Sequence, residues 1–234
     1  MKILKTKTRI NEGEANVGHR LKTFRDECPN IFTLYINDFE DGSNNDDIID
    51  TLTKRAPDDY LKICINSHGG LITELQRFHN TISTFFKDRF ETEINSIAYS
   101  AGAYLFCIAP VRVCYEYSHA MFHNAAGGFF GKFSDIKEQH NFDMEFYQKY
   151  LKSIVSKFFT EKELEQLLEG KEFWFDTLEM CKRGICTNVW YDGDVITAKE
   201  YIKLKTPAKP VKKVVKKSIK KKPVKKLDVV TNEQ

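Results

Sequence analysis

The stretch TEINSIAYSAGAYLFCIAP, residues 92–110, decides the fold because its character changes at Ser100. Up to that residue the composition is typical of a strand, whereas from Ala101 the residues are small and apolar, which indicates a buried helix. A strand that runs directly into a helix is the joint from which α/β domains are built. The serine should therefore lie at the helix N-terminus, where free backbone N–H groups favour a developing negative charge.

The same alternation continues on both sides of this joint. Strands are predicted at 30–39, 60–66, 111–117 and 120–124, and helices at 46–55 and 72–86. A long helix is predicted to begin at Ser134, because large apolar residues recur near a spacing of 3.6 as far as Phe158. Two short helices follow, opened by the cap sequences at 160–163 and 176–179. The sequence therefore predicts an α/β domain.

The composition fits a protein with a buried core and no membrane span. Hydrophobic residues make up 41% of the 234 residues, yet no apolar run reaches the length needed to cross a bilayer. The N-terminus turns polar after Leu4 and lacks the apolar stretch of a secretory signal. The six cysteines are scattered, without the dense spacing of a disulfide framework. We therefore expect reduced thiols and a cytoplasmic location.

The net charge of +3 conceals a strong asymmetry along the chain. Residues 203–234 carry twelve lysines against Asp228 and Glu233, a charge of +10, which leaves −7 for residues 1–202. We expect three parts: a polar N-terminal segment (1–28), a folded domain (29–202) and a disordered basic tail (203–234). The tail is either a solvated extension or a contact for nucleic acid or an acidic protein.

Three places along the chain carry candidate chemistry. The sequence SHGG (67–70) follows a predicted strand, and its glycines allow close backbone approach, although on its own this motif is more often a plain tight turn into a helix. Ser100 is a candidate nucleophile or an N-cap residue. His123 is a candidate base that could activate a serine, or a structural histidine. A zinc site at His119 and His123 is disfavoured, because their spacing suits a helix and the segment looks extended.

Taken together, these motifs resemble the proteolytic subunit of Clp protease, the ClpP family, over about residues 30–190. The resemblance rests on INSHGG (65–70), on Thr92 followed by SIAYSAGA (96–103), and on Arg112 and Glu116 followed by MFHNA (121–125). It implies a ClpP/crotonase-like α/β spiral of repeated ββα units with a long handle helix. The ending around GKEFWFD (170–176) is similar to ClpP-like serine peptidases of tailed bacteriophages.

The resemblance implies a role for each matching residue. Ser100 would attack the peptide carbonyl and His123 would act as its general base. The N–H groups of Gly70 and Ala101 would form the oxyanion hole. The chain also departs from the family pattern: His68 replaces a proline, Ser96 replaces a glycine, and Asn124-Ala125 replace Gln-Pro. None of these departures removes a catalytic group, but the family's substrate-groove geometry and peptide preference cannot be carried over to this chain.

The third member of the triad is less well defined by the resemblance. Ungapped comparison places the family aspartate at Leu168, which cannot orient a histidine. Glu169 is adjacent and is the favoured candidate, with Glu172 as the alternative. Both carboxylates could equally be solvated charges near a helix end.

The function implied is an ATP-dependent serine endopeptidase that works through an acyl-enzyme, without metal or cofactor. The family assembles as stacked homo-oligomeric rings fed by an unfoldase ATPase, and a phosphate-binding G-x-x-x-x-G-K-[ST] motif is missing from this sequence. Any ATP use would therefore belong to a separate partner. Two alternatives remain: a catalytically inactive ring or scaffold subunit, and a crotonase-type acyl-CoA enzyme.

Overall fold

The computed structural model describes residues 20–24, 30–40, 43–128 and 130–206, and these form a mixed α/β fold. The strands are β1 (Arg20–Phe24), β2 (Ile31–Ile36), β3 (Tyr60–Ser67), β4 (Phe90–Tyr99), β5 (Val111–Tyr115), β6 (His119–Phe122), β7 (Phe173–Asp176), β8 (Asn188–Tyr191) and β9 (Asp194–Thr197). The helices are α1 (Ser43–Thr53), α2 (Ile72–Phe85), α3 (Ala101–Ile108), α4 (Phe133–Val155), α5 (Glu161–Leu168), α6 (Thr177–Lys182) and α7 (Ala198–Lys205).

All nine strands belong to one sheet, whose main path runs β1-β2-β3-β4-β5-β8-β9. Strands β2 to β5 are parallel neighbours, and a helix precedes each of β3, β4 and β5, so the chain advances along the sheet in one direction. Strand β4 has two partners on the same side, β5 along its first half and β6 along its second half. This fork places the end of β6 next to the end of β4.

Helix α3 is the most deeply buried of the helices that the structure describes. Its residues from Ala101 to Cys107 are all buried, as expected for the small apolar run in the sequence. The helix packs against β3 and β4 and lies between α2 and α4. Burial on every side fixes its N-terminus relative to the ends of the parallel strands.

The structure confirms the predicted α/β class and the main strands and helices. The long helix α4 and the capped helices α5 and α6 form where their spacing and cap residues indicated, and the Thr160–Glu163 capping box has both of its hydrogen bonds. Strands β1, β7, β8 and β9 were not anticipated. Helix α7 continues to Lys205, so its last three residues fall inside the predicted tail.

Other sequence-based predictions fall outside the described part of the chain. The structure does not describe residues 1–19, 25–29 and 207–234. The disorder predicted for the lysine-rich tail therefore stays a prediction. Cys28 also lies outside, and the other five cysteines are free thiols. Among the described helices, no segment combines the length and apolar character needed to cross a bilayer.

Candidate active site

Ser100 joins β4 to α3 in a strained backbone conformation. Its φ of 50° and ψ of −124° are unusual for a residue with a side chain, and strain of this kind clusters at functional sites. The Ser100 N–H donates to the Met121 carbonyl on β6 at 2.8 Å, which fixes the backbone. The hydroxyl makes no capping bond to α3, so the N-cap interpretation of Ser100 is not supported.

His123 follows the last residue of β6, beside the end of β4. The pairing of Tyr99 with Met121 across these strands places Ser100 and His123 side by side. The Nε2 atom of His123 lies 2.7 Å from the Ser100 Oγ, within hydrogen-bond distance. Two residues separated by 23 positions are thus brought together in the arrangement of a nucleophile and its base.

The glycine turn after β3 packs directly against the serine. Gly69 has a φ of +106°, and a Cβ placed on it would lie only 2.6 Å from the Cβ of Ser100. The turn is braced by a hydrogen bond from the Gly69 N–H to the buried Ser67 hydroxyl, at 3.0 Å. Only glycine satisfies both the backbone conformation and the close approach here.

The backbone N–H of Gly70 points away from the neighbouring segment at Phe39. Phe39 donates its N–H to the Gly69 carbonyl at 2.9 Å and accepts from the Leu71 N–H at 2.7 Å. In such a parallel bridge, the N–H of the residue between these two partners points to the opposite side. Ala101 is the first residue of α3, so its N–H has no partner within the helix.

A cavity of about 320 Å³ opens beside these groups. Ser100 and His123 line it together with Gly70 and Ala101, and the remaining lining is mainly apolar side chains from α2, α4 and the loop after His123. The lining contains no carboxylate. A candidate nucleophile, a candidate base and two candidate N–H donors therefore face one space large enough for part of a peptide.

The candidates for the third triad member do not contact the histidine. Glu169 is the exposed C-cap of α5, and no described residue bonds to its carboxylate. The Glu172 carboxylate accepts a 3.1 Å hydrogen bond from the Trp174 indole. The Asn124 side-chain amide instead donates to the Leu168 carbonyl at 2.8 Å, which holds the end of α5 beside the residue after His123.

Tyr104 was not identified from the sequence, yet its hydroxyl contacts the backbone of the candidate base. The hydroxyl donates to the His123 carbonyl at 2.9 Å, and burial raises the pKa of Tyr104, which keeps the donor protonated. A signal for it exists in the sequence. Tyr104 is the single hydroxyl residue in the apolar run of α3 and lies one helical turn after Ser100.

The disfavoured zinc site at His119 and His123 finds no support in the geometry. The two histidines have different partners, because His119 Nε2 lies 2.6 Å from the Tyr99 hydroxyl. Residues four apart on an extended strand are separated by about 13 Å, too far for one tetrahedral ion. Within the described ranges, no cluster of three or more His, Cys, Asp or Glu residues could hold a metal.

Comparison with known protein families agrees with this geometry. A family model described as Clp protease matches residues 36–192, about two thirds of the chain, and spans the glycine turn, Ser100 and His123. The α/β architecture, with its parallel strands and seven helices among the described residues, is consistent with a ClpP-like fold. The chain belongs to the Clp protease family.

Proposed function

We propose that this protein is a serine endopeptidase and that Ser100 and His123 perform the reaction. The observation that carries this proposal is the 2.7 Å separation of the Ser100 Oγ and the His123 Nε2 at the edge of a cavity. A serine hydroxyl is a weak nucleophile unless an adjacent base accepts its proton. The family supports a peptidase function, and this pair supplies the chemistry.

The reaction proceeds in two halves. The Ser100 Oγ bonds to the carbonyl carbon of the substrate while its proton passes to His123 Nε2. The tetrahedral intermediate collapses, the C–N bond breaks, and His123 returns the proton to the leaving amine. Water then attacks the acyl-enzyme with His123 again as base, releasing the second product and restoring the Ser100 hydroxyl.

The N–H groups of Gly70 and Ala101 are proposed to form the oxyanion hole. The bridge to Phe39 turns the Gly70 N–H away from that segment, and the Ala101 N–H is free of helical bonding. The positive end of the α3 dipole adds to the stabilisation of negative charge. Losing one such donor typically costs about 3 kcal/mol in the transition state.

Glu169 remains our proposed third member, with Glu172 as the alternative. The bond between Asn124 and the Leu168 carbonyl holds the backbone preceding Glu169 near His123, so a side-chain rotation could direct its carboxylate inwards. The absence of a carboxylate bonded to His123 among the described residues also favours a second candidate function. That alternative is a catalytically inactive subunit of the same fold.

Members of the family typically form oligomeric rings, and we propose a homo-oligomer of stacked rings here. Helix α4 carries exposed aromatic side chains, with Phe133 93% and Phe142 66% exposed. The rings of Phe142 and Phe146 stack on each other with centroids 5.7 Å apart. Large exposed aromatic groups are typical of surfaces that become buried on association. A separate unfoldase ATPase, cytoplasmic location and bacteriophage setting stay predictions.

The proposal is tested by labelling with a fluorophosphonate and by hydrolysis of a fluorogenic peptide, alongside native mass measurement. We expect the wild type to be labelled at one site and to cleave the peptide. Ser100→Ala should lose both properties while keeping the same assembly mass. Ser153→Ala is a matched control, because that exposed hydroxyl bonds only to the Tyr150 carbonyl in α4.

Two outcomes would contradict the proposal. Labelling and turnover that persist in Ser100→Ala would show that another nucleophile acts. A correctly assembled wild type that is neither labelled nor active would favour the inactive ring or scaffold subunit.

A further inference from the structure

Two hydrogen bonds connect the N-terminal turn of α3 to the end of β6. The Ser100 N–H donates to the Met121 carbonyl at 2.8 Å, and the Tyr104 hydroxyl donates to the His123 carbonyl at 2.9 Å. Ser100 and Tyr104 lie one helical turn apart. Ser100 bonds to Met121 and Tyr104 bonds to His123, so both contact the segment that carries the proposed base. The helix that positions Ser100 therefore also positions the backbone of His123.

The Tyr104 side chain is well suited to hold that backbone. It is among the largest fully buried side chains of the described core, and its ring packs edge-on against Phe122 with centroids 5.6 Å apart. Close packing in a core restricts a side chain to one rotamer. The position of the hydroxyl is therefore set by the surrounding core.

The histidine itself has few other restraints. It lies one residue beyond the end of β6, so the strand ladder no longer fixes its carbonyl. Within the described ranges, its imidazole has a hydrogen bond only to Ser100 and none to a carboxylate. The direction of the ring consequently depends on how the backbone at His123 is held.

We propose that the Tyr104 hydroxyl is a positioning group for the general base, which fixes the His123 backbone so that Nε2 faces the Ser100 Oγ. The inference rests on the proposed peptidase function and deepens it. Tyr104 acts through His123 rather than on the substrate, so it is a positioning residue. Its contribution should appear in the proton-transfer step more than in substrate binding.

Tyr104→Phe removes the hydroxyl and keeps the ring. We expect kcat on a fluorogenic peptide to fall about tenfold with KM within twofold, because a misplacement of about 1 Å can reduce a rate about a hundredfold. The first-order rate of labelling at saturating fluorophosphonate should fall by a similar factor. Rates are expressed per labelled site, so that a partly unfolded fraction does not imitate the effect.

Tyr150→Phe is the matched control. It removes a partly buried hydroxyl, which lies 3.0 Å from His79 Nδ1 between α4 and α2 rather than at His123. We expect both variants to lower the melting temperature, while Tyr150→Phe keeps the wild-type kcat. A simple packing role for Tyr104 would lower stability in both variants and leave kcat unchanged in both.

The outcomes separate this inference from the proposed function. If Ser100→Ala is inactive but Tyr104→Phe keeps the wild-type kcat and labelling rate, the positioning role is wrong and the peptidase function stands. If Ser100→Ala stays active, the proposed function itself fails. An equal loss of kcat in Tyr104→Phe and Tyr150→Phe would also overturn the positioning role, because the effect would then be general.

Discussion

The side-chain amide of Asn124 donates a 2.8 Å hydrogen bond to the carbonyl of Leu168, the position at which an ungapped comparison with the family pattern puts the acid of the triad. The contact connects the loop after His123 to the end of α5. Leucine has no side-chain charge with which to orient His123, so it takes part in this contact only through its backbone carbonyl. The chain segment that precedes Glu169 is therefore held beside the residue that follows His123.

Glu169→Gln tests whether the adjacent carboxylate completes the triad. We expect a reduction in kcat of at least tenfold, because a neutral amide does not stabilise the imidazolium formed during proton transfer. The measurement is peptide hydrolysis under saturating substrate. Glu172→Gln is the matched comparison, since that carboxylate already accepts from the Trp174 indole at 3.1 Å. A larger fall in kcat for Glu172→Gln than for Glu169→Gln would assign the role of third triad member to Glu172. An unchanged kcat in both variants would point to a Ser–His dyad.

Gly69→Ala tests the close approach of the glycine turn to the nucleophile. The added Cβ would lie 2.6 Å from the Ser100 Cβ, and the φ of +106° is unfavourable for alanine. We expect a loss of about 2 kcal/mol in unfolding free energy and a fall in kcat of more than tenfold. Urea unfolding and peptide hydrolysis measure the two effects. Gly127→Ala should leave stability nearly unchanged, because a Cβ there has no atom within 4 Å.

His79 should make stability depend on pH near neutrality. In the folded protein, burial lowers the pKa of His79 below its usual value of 6.5. Below pH 6.5 the unfolded chain therefore binds more protons at this residue than the folded protein does. Its contribution to stability is complete above pH 6.5 and decreases as pH falls towards the lowered value. Urea unfolding at pH 7.5 and 5.5 should show a smaller pH effect in His79→Gln than in the wild type. An identical effect in both proteins would contradict the assignment.

The ion pair between Glu163 and Arg183 should contribute acid stability. The Arg183 guanidinium donates to both carboxylate oxygens and lowers the pKa of Glu163 from 4.5 to about 2. The stabilisation is present above pH 4.5 and is lost as pH falls towards 2. We expect Arg183→Gln to cost about 1 kcal/mol at pH 7, and less below pH 3, in urea unfolding.

Lys54→Gln is the comparison for this pair. Its exposed bridge to Asp50 spans 2.5 Å, but both side chains are largely solvated. Exposed pairs contribute little to stability, so this variant should unfold like the wild type at both pH values. Equal losses in Lys54→Gln and Arg183→Gln would argue against a specific role for the Glu163 pair.

Removal of residues 207–234 should leave peptide turnover unchanged. The cut after Thr206 preserves α7, whose Lys205 contacts Glu116 at 2.5 Å. We expect salt-sensitive binding to a polyanion such as heparin to be lost, since ten lysines lie in the deleted segment. Truncation after Lys226 keeps those lysines and should bind like the full chain. A large loss of turnover on a short peptide would show that the tail supports catalysis.

Much of the fold could be predicted from the sequence because the signals involved are local. The alternating strand residues, the 3.6-residue spacing of α4 and the cap residues of α5 and α6 depend on near neighbours in the chain. The short strands β7, β8 and β9 escaped prediction. Each has four residues, too few to establish a period by itself, and the equally short β6 was predicted only with shifted bounds, as 120–124.

The sequence by itself determined the α/β class, the junction at Ser100 and the identity of a candidate base at His123. The tertiary structure decided that these two side chains lie 2.7 Å apart, that the Tyr104 hydroxyl donates to the His123 carbonyl, and that the Glu169 carboxylate makes no hydrogen bond to His123. Local patterns reflect interactions within a few residues, whereas these contacts follow from the register of β4 against β6 and from the packing of α3. That register depends on the assembled sheet and core, so no single stretch of sequence encodes it.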